Sequence, residues 1–575
     1  MVALRAAWSW VFDRFRLLLA ELRCSVRSLS GGNRIPPGPI KHVFVLVLEN
    51  RSFDHMLGFA DISGKDALTG LPTHVDDLTR GGPHANPDPN AGDRRVAASS
   101  PAAFSLAQTR ADGTHAPDPA HEFDQVLLQL GGYSRDGSGA IILPTHPDPR
   151  GDYPAIHNSG FIASYLGLAN PRGIEPNTTD PESIMRCFAP EQVPVLVALA
   201  KEFAVCDRWF SSVPGPTWPN RFFLHAASSG GLDDSPSGFQ SATASLLDGY
   251  HFDNGTIYDR LENSHYDWKV FMGDEFPQVF AIRGMTARRL EGHFRRFGEF
   301  AAAVNDPEFS TPYVFIEPNY GNVLPTTLKD FTGGDSQHPL DDITSGERLV
   351  KQVYETIRNS PHWNESLLLV TYDEHGGFFD HVPPPRTASP GDSIVCPENN
   401  HHGFGFRQLG VRVPAIAISP LIPKNTVDHT TYDHSSLLAT VESLFGLEPL
   451  TRRDAAASTL DHLLSLEAPR KDAPISLPDP ADSGIPRDQM DSAEDSSGDG
   501  SLTAIQRAFL HVAFLRHYRR TSLFRKPAAI RAFQRIKFLS QANGFMQEVH
   551  GRMSSLYLRA KSRRDSEKPT GARRA

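Results

Sequence analysis

No stretch of the 575-residue sequence reaches the roughly 18 consecutive apolar residues that a membrane-spanning helix needs. The pattern of a secretory signal is also missing, because Arg5, Asp13, Arg14 and Arg16 interrupt any apolar run and no small-residue cleavage site follows one. The expectation is a soluble or peripheral protein, cytoplasmic or at a membrane surface. Cysteine is scarce. Cys24, Cys187, Cys206 and Cys396 are too widely spaced for a zinc finger or a disulfide framework, and they leave the redox compartment open. Internal repeats are lacking too.

What is present is ordinary for a folded enzyme: 39% hydrophobic and 22% charged residues, enough to bury a sizeable core. The length exceeds one usual domain, which fits one large catalytic core with insertions and appendages. The net charge of −10 is unevenly spread, since residues 501–575 carry 17 Lys and Arg against 3 Asp and Glu. An acidic body argues against nucleic acid as a partner. The basic tail is either a solvated segment or a contact for an anionic surface such as phospholipid or RNA.

Leu4, Trp8, Val11, Phe12, Phe15, Leu18, Leu19 and Leu22 recur at helical spacing, so residues 3–28 read as an amphipathic helix, lying on a membrane or docked on protein. Gly31-Gly32 and Pro36-Pro37-Gly38-Pro39 end it. The chain divides into this N-terminal segment (1–35), a catalytic region (36–467), an acidic disordered linker (468–500) and a basic amphipathic C-terminal segment (501–575).

Within the catalytic region, His42-Val43-Phe44-Val45-Leu46-Val47-Leu48 and Leu367-Leu368-Leu369-Val370-Thr371-Tyr372 are apolar runs of strand length, as expected of strands buried on both faces of a parallel sheet. Residues 313–316 and 413–418 are weaker runs of the same kind. Helical patterns lie between them, over 345–360 and 437–445, and this alternation predicts an α/β sandwich with a mostly parallel sheet. Residues 60–155, rich in Gly, Pro, Asp and Asn, read as long loops or an inserted cap.

Sites in such sheets form beyond the carboxyl ends of strands. Here one strand runs directly into Glu49-Asn50, and another into Asp373-Glu374-His375-Gly376-Gly377. Carboxylates and an amide oxygen are hard ligands, suited to Mg²⁺, Ca²⁺ or Mn²⁺ and less selectively to Zn²⁺ or Fe. A single carboxylate at a strand end is as readily a helix cap; two adjacent pairs at two strand ends favour a metal cradle. Thr217, just before Pro219 in Gly215-Pro216-Thr217-Trp218-Pro219, falls near a helix N-terminus, where free amides favour phosphate. By itself it reads as an ordinary N-cap threonine. His375 and His381 flank the second pair, in a site role or as hydrogen-bonding packing groups, and His401-His402 reads as a surface turn.

Four segments in order carry a resemblance: Glu49 to Gly58, Ser212 to Arg221, Thr371 to Val382, and Asp433 to Ser436. They closely resemble the phosphoesterase family of bacterial phosphocholine-preferring and plant non-specific phospholipases C, which also includes acid phosphatases. The resemblance spans about residues 40–450 and leaves out both terminal segments. It implies an alkaline-phosphatase-like sandwich with helices on both faces, loop insertions and helical terminal extensions. It also implies one divalent metal ion held by Glu49, Asn50, Thr217, Asp373 and Glu374. Thr217 falls where the family has its Ser or Thr nucleophile, and His121, His338 and His434 match histidines around the phosphate. Trp218 departs from the small or polar residue usual in plant relatives. The implied activity is phospholipid hydrolysis to diacylglycerol and a phosphorylated head group through a phosphothreonine intermediate. The alternatives are an acid phosphatase acting on soluble monoesters and a non-enzymatic binding protein with a decayed site.

Overall fold

The computed structural model describes residues 34–485, apart from 109–115, 147–152, 169–179, 237–248, 275–276, 286–288, 290–291, 322–332 and 393–398, together with Phe514, Phe533, Arg535, Ile536 and Phe545. The helix expected over 3–28, most of the basic C-terminal segment, Cys24 and Cys396 lie outside the described residues.

The longest apolar runs become the centre of a ten-stranded sheet. Its strands are β1 (His42–Leu48), β2 (Ser63–Asp66), β3 (Pro72–His74), β8 (Ala204–Cys206), β9 (Trp268–Met272), β10 (Phe294–Arg296), β11 (Tyr313–Glu317), β12 (Ser366–Tyr372), β13 (Ala415–Ile418) and β14 (Thr426–Asp428). Two small hairpins, β4 (Ala85–Pro87) with β5 (Arg95–Ala97) and β6 (Ser134–Arg135) with β7 (Ile141–Ile142), stand apart from it. The spatial order is β10-β9-β11-β1-β12-β13-β8-β14-β2-β3. Eight of the ten strands run one way; β13 and the edge strand β3 run against their neighbours. The sheet is therefore mixed but mostly parallel, and the protein is α/β as expected.

Helices in chain order are α1 (Phe53–Leu57), α2 (Phe123–Gly131), α3 (Phe161–Tyr165), α4 (Pro194–Glu202), α5 (Thr217–Ala226), α6 (Ile257–Asn263), α7 (Phe300–Val304), α8 (Ile343–Arg358), α9 (His434–Phe445) and α10 (Arg452–Ala456). They cover both faces of the sheet. Phe44 of β1 meets Phe300 of α7 edge-on, with 6.2 Å between ring centroids, whereas Phe315 of β11, paired with Val45 and so on the opposite face, meets His225 of α5 at 4.8 Å. Every residue of β1 and β12 is consequently buried, and each large apolar side chain there contributes about 1.5–3 kcal/mol relative to exposure.

Part of the region expected to be loops joins the sheet, because β2 pairs in parallel with β14 and turns back as β3. The boundary of the acidic linker also needs correction. Residues 468–485 run along α8: Ala473 and Leu477 are buried, Tyr354 Oη donates to the Pro474 carbonyl at 2.6 Å, and the Arg358 guanidinium donates to the Ala473 carbonyl. Pro469, Pro474, Pro478 and Pro480 let this segment pack in extended form without a helical or strand signature in its sequence. Beyond it, Phe514 is buried and stacks on Phe533 at 4.2 Å. No helix among the described residues is long and apolar enough to cross a membrane.

Candidate active site

β1 and β12 are adjacent and parallel, with Leu48 paired to Tyr372, so Glu49-Asn50 and Asp373-Glu374 leave the sheet side by side. The two turns interlock. Asn50 adopts the left-handed conformation (φ 58°), its amide donates to Asp373 Oδ1 at 3.1 Å, and the Arg51 amide donates to the Glu374 carbonyl at 2.9 Å. Gly376 and Gly377 make this approach possible: a Cβ on Gly376 would lie 2.2 Å from the Asn50 carbonyl oxygen, and one on Gly377 2.8 Å from Pro119 Cβ. Gly377 thereby also admits the segment that carries His121. Ser52 caps α1, accepting from the His55 amide, which makes 51–55 the support of the site and not its chemistry.

α5 begins at Thr217, with Pro219 in its first turn. Asn220 holds the preceding loop in place: its amide group donates to the carbonyls of Val213, Gly215 and Pro216 and accepts from the Val213 amide. Thr217 Oγ1 then lies 3.5 Å from Asn50 Oδ1. Trp218 turns away into the core against Phe222 and Tyr250, so the departure at this position is absorbed by packing.

Arg221, one turn further along α5, links the two strand ends. Its guanidinium donates to Asp373 Oδ2 at 2.9 Å, to Glu49 Oε1 at 3.3 Å and to Tyr320 Oη at 2.8 Å, and it is buried throughout. Glu317, at the end of β11, accepts from the amides of Gln278 and Val279, and the Gln278 side chain donates to Glu49 Oε1 at 2.8 Å. Glu374 Oε2 accepts from the Gly376 amide at 2.7 Å. Glu49 Oε2 and Glu374 Oε1 accept no hydrogen bond among the described residues. Burial pushes the Glu49 carboxyl well up, with Arg221 opposing, and pushes Asp373 up to about 6.

Two buried carboxylates, Glu49 and Asp373, thus share one guanidinium, and a third, Glu374, has among the described residues only the imidazoles of His121 and His375 near it, in a medium that disfavours bare anions. Open carboxylate oxygens on Glu49 and Glu374, with Asn50 Oδ1 and Thr217 Oγ1 beside them, form an all-oxygen donor set that fits a hard divalent cation. Among the described residues, the groups of three His, Asp or Glu whose ligand atoms lie within 4.8 Å of one another are elsewhere: Asp54, Asp380 and His381, and Asp124, His146 and His402. The first already holds Arg412, which donates to Asp54 at 2.9 Å and to Asp380 at 2.9 Å.

The three predicted histidines differ in placement. His121 binds the Pro119 carbonyl through Nδ1 at 2.8 Å and presents Nε2 to Asn50 Nδ2 (3.2 Å) and Glu374 Oε1 (3.6 Å). Burial works against its charge, but Glu374, Asp118 and Glu122 outweigh burial and hold its pKa up at about 9. His338 is 3.6 Å from Asp118, and Arg51 donates to the carbonyls of Gln337 and His338 to hold that loop. Burial drives its pKa well down, and the positive charges of His121 and Arg51 add to this. His434 lies under Asp373-Glu374: Trp209 Nε1 donates to its Nδ1, so Nε2 carries the proton and donates to the Asp373 carbonyl at 2.5 Å. With both nitrogens engaged, it braces Asp373. His375 bonds Gln129 at 2.7 Å, and His381 bonds Asp54 and Asp76. His402 is not in a simple surface turn; it stacks on Phe123 with 4.8 Å between centroids.

Arg221, Asn220 and Gln278 were not read from sequence as site residues. Arg221 and Asn220 lie inside the Ser212 to Arg221 motif, and that membership was the available signal.

Residues 40–448 match the phosphoesterase family. Non-specific phospholipase C3 of Arabidopsis thaliana is 35% identical over 465 residues, covering 79% of each chain. Phospholipase C B of Mycobacterium tuberculosis is 27% identical over 480 residues, covering 78% of this chain and 82% of that one. Among solved structures, a protein in the alkaline phosphatase superfamily from Vibrio parahaemolyticus matches at 12% identity and a TM-score of 0.27, covering 48% of this chain and 63% of that one. So loose a superposition carries no weight, and the fold rests on the strand order itself.

Proposed function

The chain belongs to the phosphoesterase family and is a hydrolase of phosphoester bonds, and from that premise we propose that it is a metal-dependent phospholipase C whose nucleophile is Thr217. The observation that carries this reading is the placing of the Thr217 hydroxyl, at the first position of α5 and 3.5 Å from Asn50 Oδ1, beside carboxylates with open oxygens. Relatives named phospholipase C, plant and bacterial, support a phospholipid as the substrate.

A divalent cation bound by Glu49, Asn50, Thr217, Asp373 and Glu374 would supply charge neutralisation and a lowered hydroxyl pKa. Thr217 Oγ1, its proton released to solvent before substrate binds, attacks phosphorus while the diacylglycerol oxygen departs, leaving the head-group phosphate esterified to threonine. The amides at the start of α5 favour the phosphate oxygens. His121 is the proposed donor to the departing oxygen, since Nδ1 is fixed on Pro119 and Nε2 faces the site. His338, beside Asp118, is the second histidine proposed to face the phosphate, and His434 positions Asp373. Water then cleaves the threonine ester, with His121 accepting its proton, and two displacements leave the configuration at phosphorus retained. The catalytic region extends to residue 485 once the segment on α8 is included. Segments 1–35 and 501–575 hold it against an anionic phospholipid surface.

Thr217→Ala should lower diacylglycerol release from mixed liposomes by at least about a thousandfold, as loss of a nucleophile does. An alanine variant of near wild-type activity would sink the assignment, and monoester turnover without lipid cleavage in the wild type would move the reading to a phosphatase. Chelation should abolish release, and re-addition of a divalent cation should restore it; release that survives exhaustive chelation excludes the metal.

A further inference from the structure

The Asp124, His146 and His402 cluster lies outside the Glu49 and Glu374 centre and has no part in the proposed reaction. Asp124 is in the first turn of α2, His146 follows the β6–β7 hairpin, and His402 belongs to the loop before β13. His146 Nε2 is 2.5 Å and His402 Nδ1 3.5 Å from Asp124 Oδ1, and the two imidazoles meet edge-on at 5.0 Å between centroids. The other nitrogen of His402 is committed: Nε2 faces Asp234 Oδ2 at 3.1 Å. Asp234 is itself fixed, accepting from the Phe123 amide at 3.1 Å, and the amides of His401 and His402 donate to Asp233. A carboxylate that takes the proton of one imidazole nitrogen sets the tautomer in which the other offers a lone pair, the arrangement typical behind metal-bound histidine. Stacking on Phe123 holds the ring plane.

Donor spacing can be compared with a cation directly. Tetrahedral Zn²⁺ with bonds of about 2.0–2.1 Å keeps its ligand atoms about 3.3–3.4 Å apart. The His402 to Asp124 separation of 3.5 Å already matches, and the His146 to Asp124 pair needs to open by under about 1 Å, which a half-exposed histidine can do.

We propose that Asp124, His146 and His402 form a second divalent-cation site, selective for zinc through its two imidazoles and one carboxylate. The bound cation joins the start of α2, the segment after the β6–β7 hairpin and the loop before β13. Because Asp124 is three residues beyond His121, it braces the turn that presents His121 to the catalytic centre. The inference is independent of the identity of the nucleophile and of the catalytic metal.

The test counts zinc and does not depend on activity. Full-length protein is stripped with chelator, desalted and titrated with Zn²⁺ alone, and bound zinc per chain is measured by atomic emission for the wild type, His146→Ala and Asp124→Asn. Both variants should retain one equivalent fewer than the wild type, whether or not the catalytic set also loads. Zn²⁺ should raise the melting temperature less in each variant than in the wild type, each measured against the same protein in chelator. Equal zinc content in the wild type and both variants would overturn the second site.

Discussion

Arg221 shows most clearly how single residues hold this site. Its side chain is 2% exposed and bridges carboxylates that lie 172 and 152 positions away in sequence, with Tyr320 as third partner. Removing one partner of a buried ion pair leaves the others uncompensated, a cost of roughly 3–5 kcal/mol. Arg221→Met should therefore destabilise the protein by about that amount in urea unfolding of the metal-stripped form. Arg221→Lys should recover only part of the loss, because an ammonium group cannot span both acids as the planar fork does. A fully stable methionine variant would show that the bridge is not structural. The sequence made the pairs Glu49-Asn50 and Asp373-Glu374 legible because each follows an apolar strand without interruption. It left Arg221 unread because nothing local distinguishes a buried arginine on a helix from an exposed one. Its partners come from other strands.

At the scale of elements, α1 and the turn after β12 are locked by a second buried network. Arg412 donates to Asp54 and Asp380, and His381 donates from Nδ1 to Asp54 at 2.8 Å and faces Asp76 at 3.1 Å. Burial disfavours a charged His381, but the hydrogen bonds to Asp54 and Asp76 prevail over burial and the nearby Arg412, holding its pKa at about 10. The folded pKa lies above the unfolded value of about 6.5. The stabilisation is therefore complete below about pH 6.5 and is lost as pH rises through about 10. The melting-temperature gap between wild type and His381→Gln should shrink steadily over that window, and a gap that stays constant with pH would refute the charge on His381. Sequence patterns located β1, β11, β12 and α8 to within a few residues, since these are long and strongly apolar on the faces they bury. They missed β8 and β14, three residues each, where pairing with neighbours decides the conformation. They also could not reveal that β13 runs antiparallel, because a strand buried on both faces has the same composition in either direction.

At the scale of the whole molecule, the segment on α8 sets where the folded body ends. A chain ending at residue 485 should melt above one ending at 467 with the same N-terminus, because the shorter chain exposes the sites of Ala473 and Leu477 and loses the bonds to Tyr354 and Arg358. Equal melting temperatures would mean that the segment adds nothing. The sequence by itself determined the α/β class, the strand ends that carry the acids, and membership of a phosphoesterase family. Each of these is written in contiguous residues: apolar runs of strand length and motifs of a few positions. Tertiary structure alone decided that β1 and β12 lie side by side, that Arg221 closes the gap between their acids, and that His121 faces the site while His434 braces it from behind. Only the fold brings Asp124, His146 and His402 together. These are contacts between residues tens to hundreds of positions apart, and the energy of a buried charge or an imidazole lone pair depends on which groups the folded chain places opposite it.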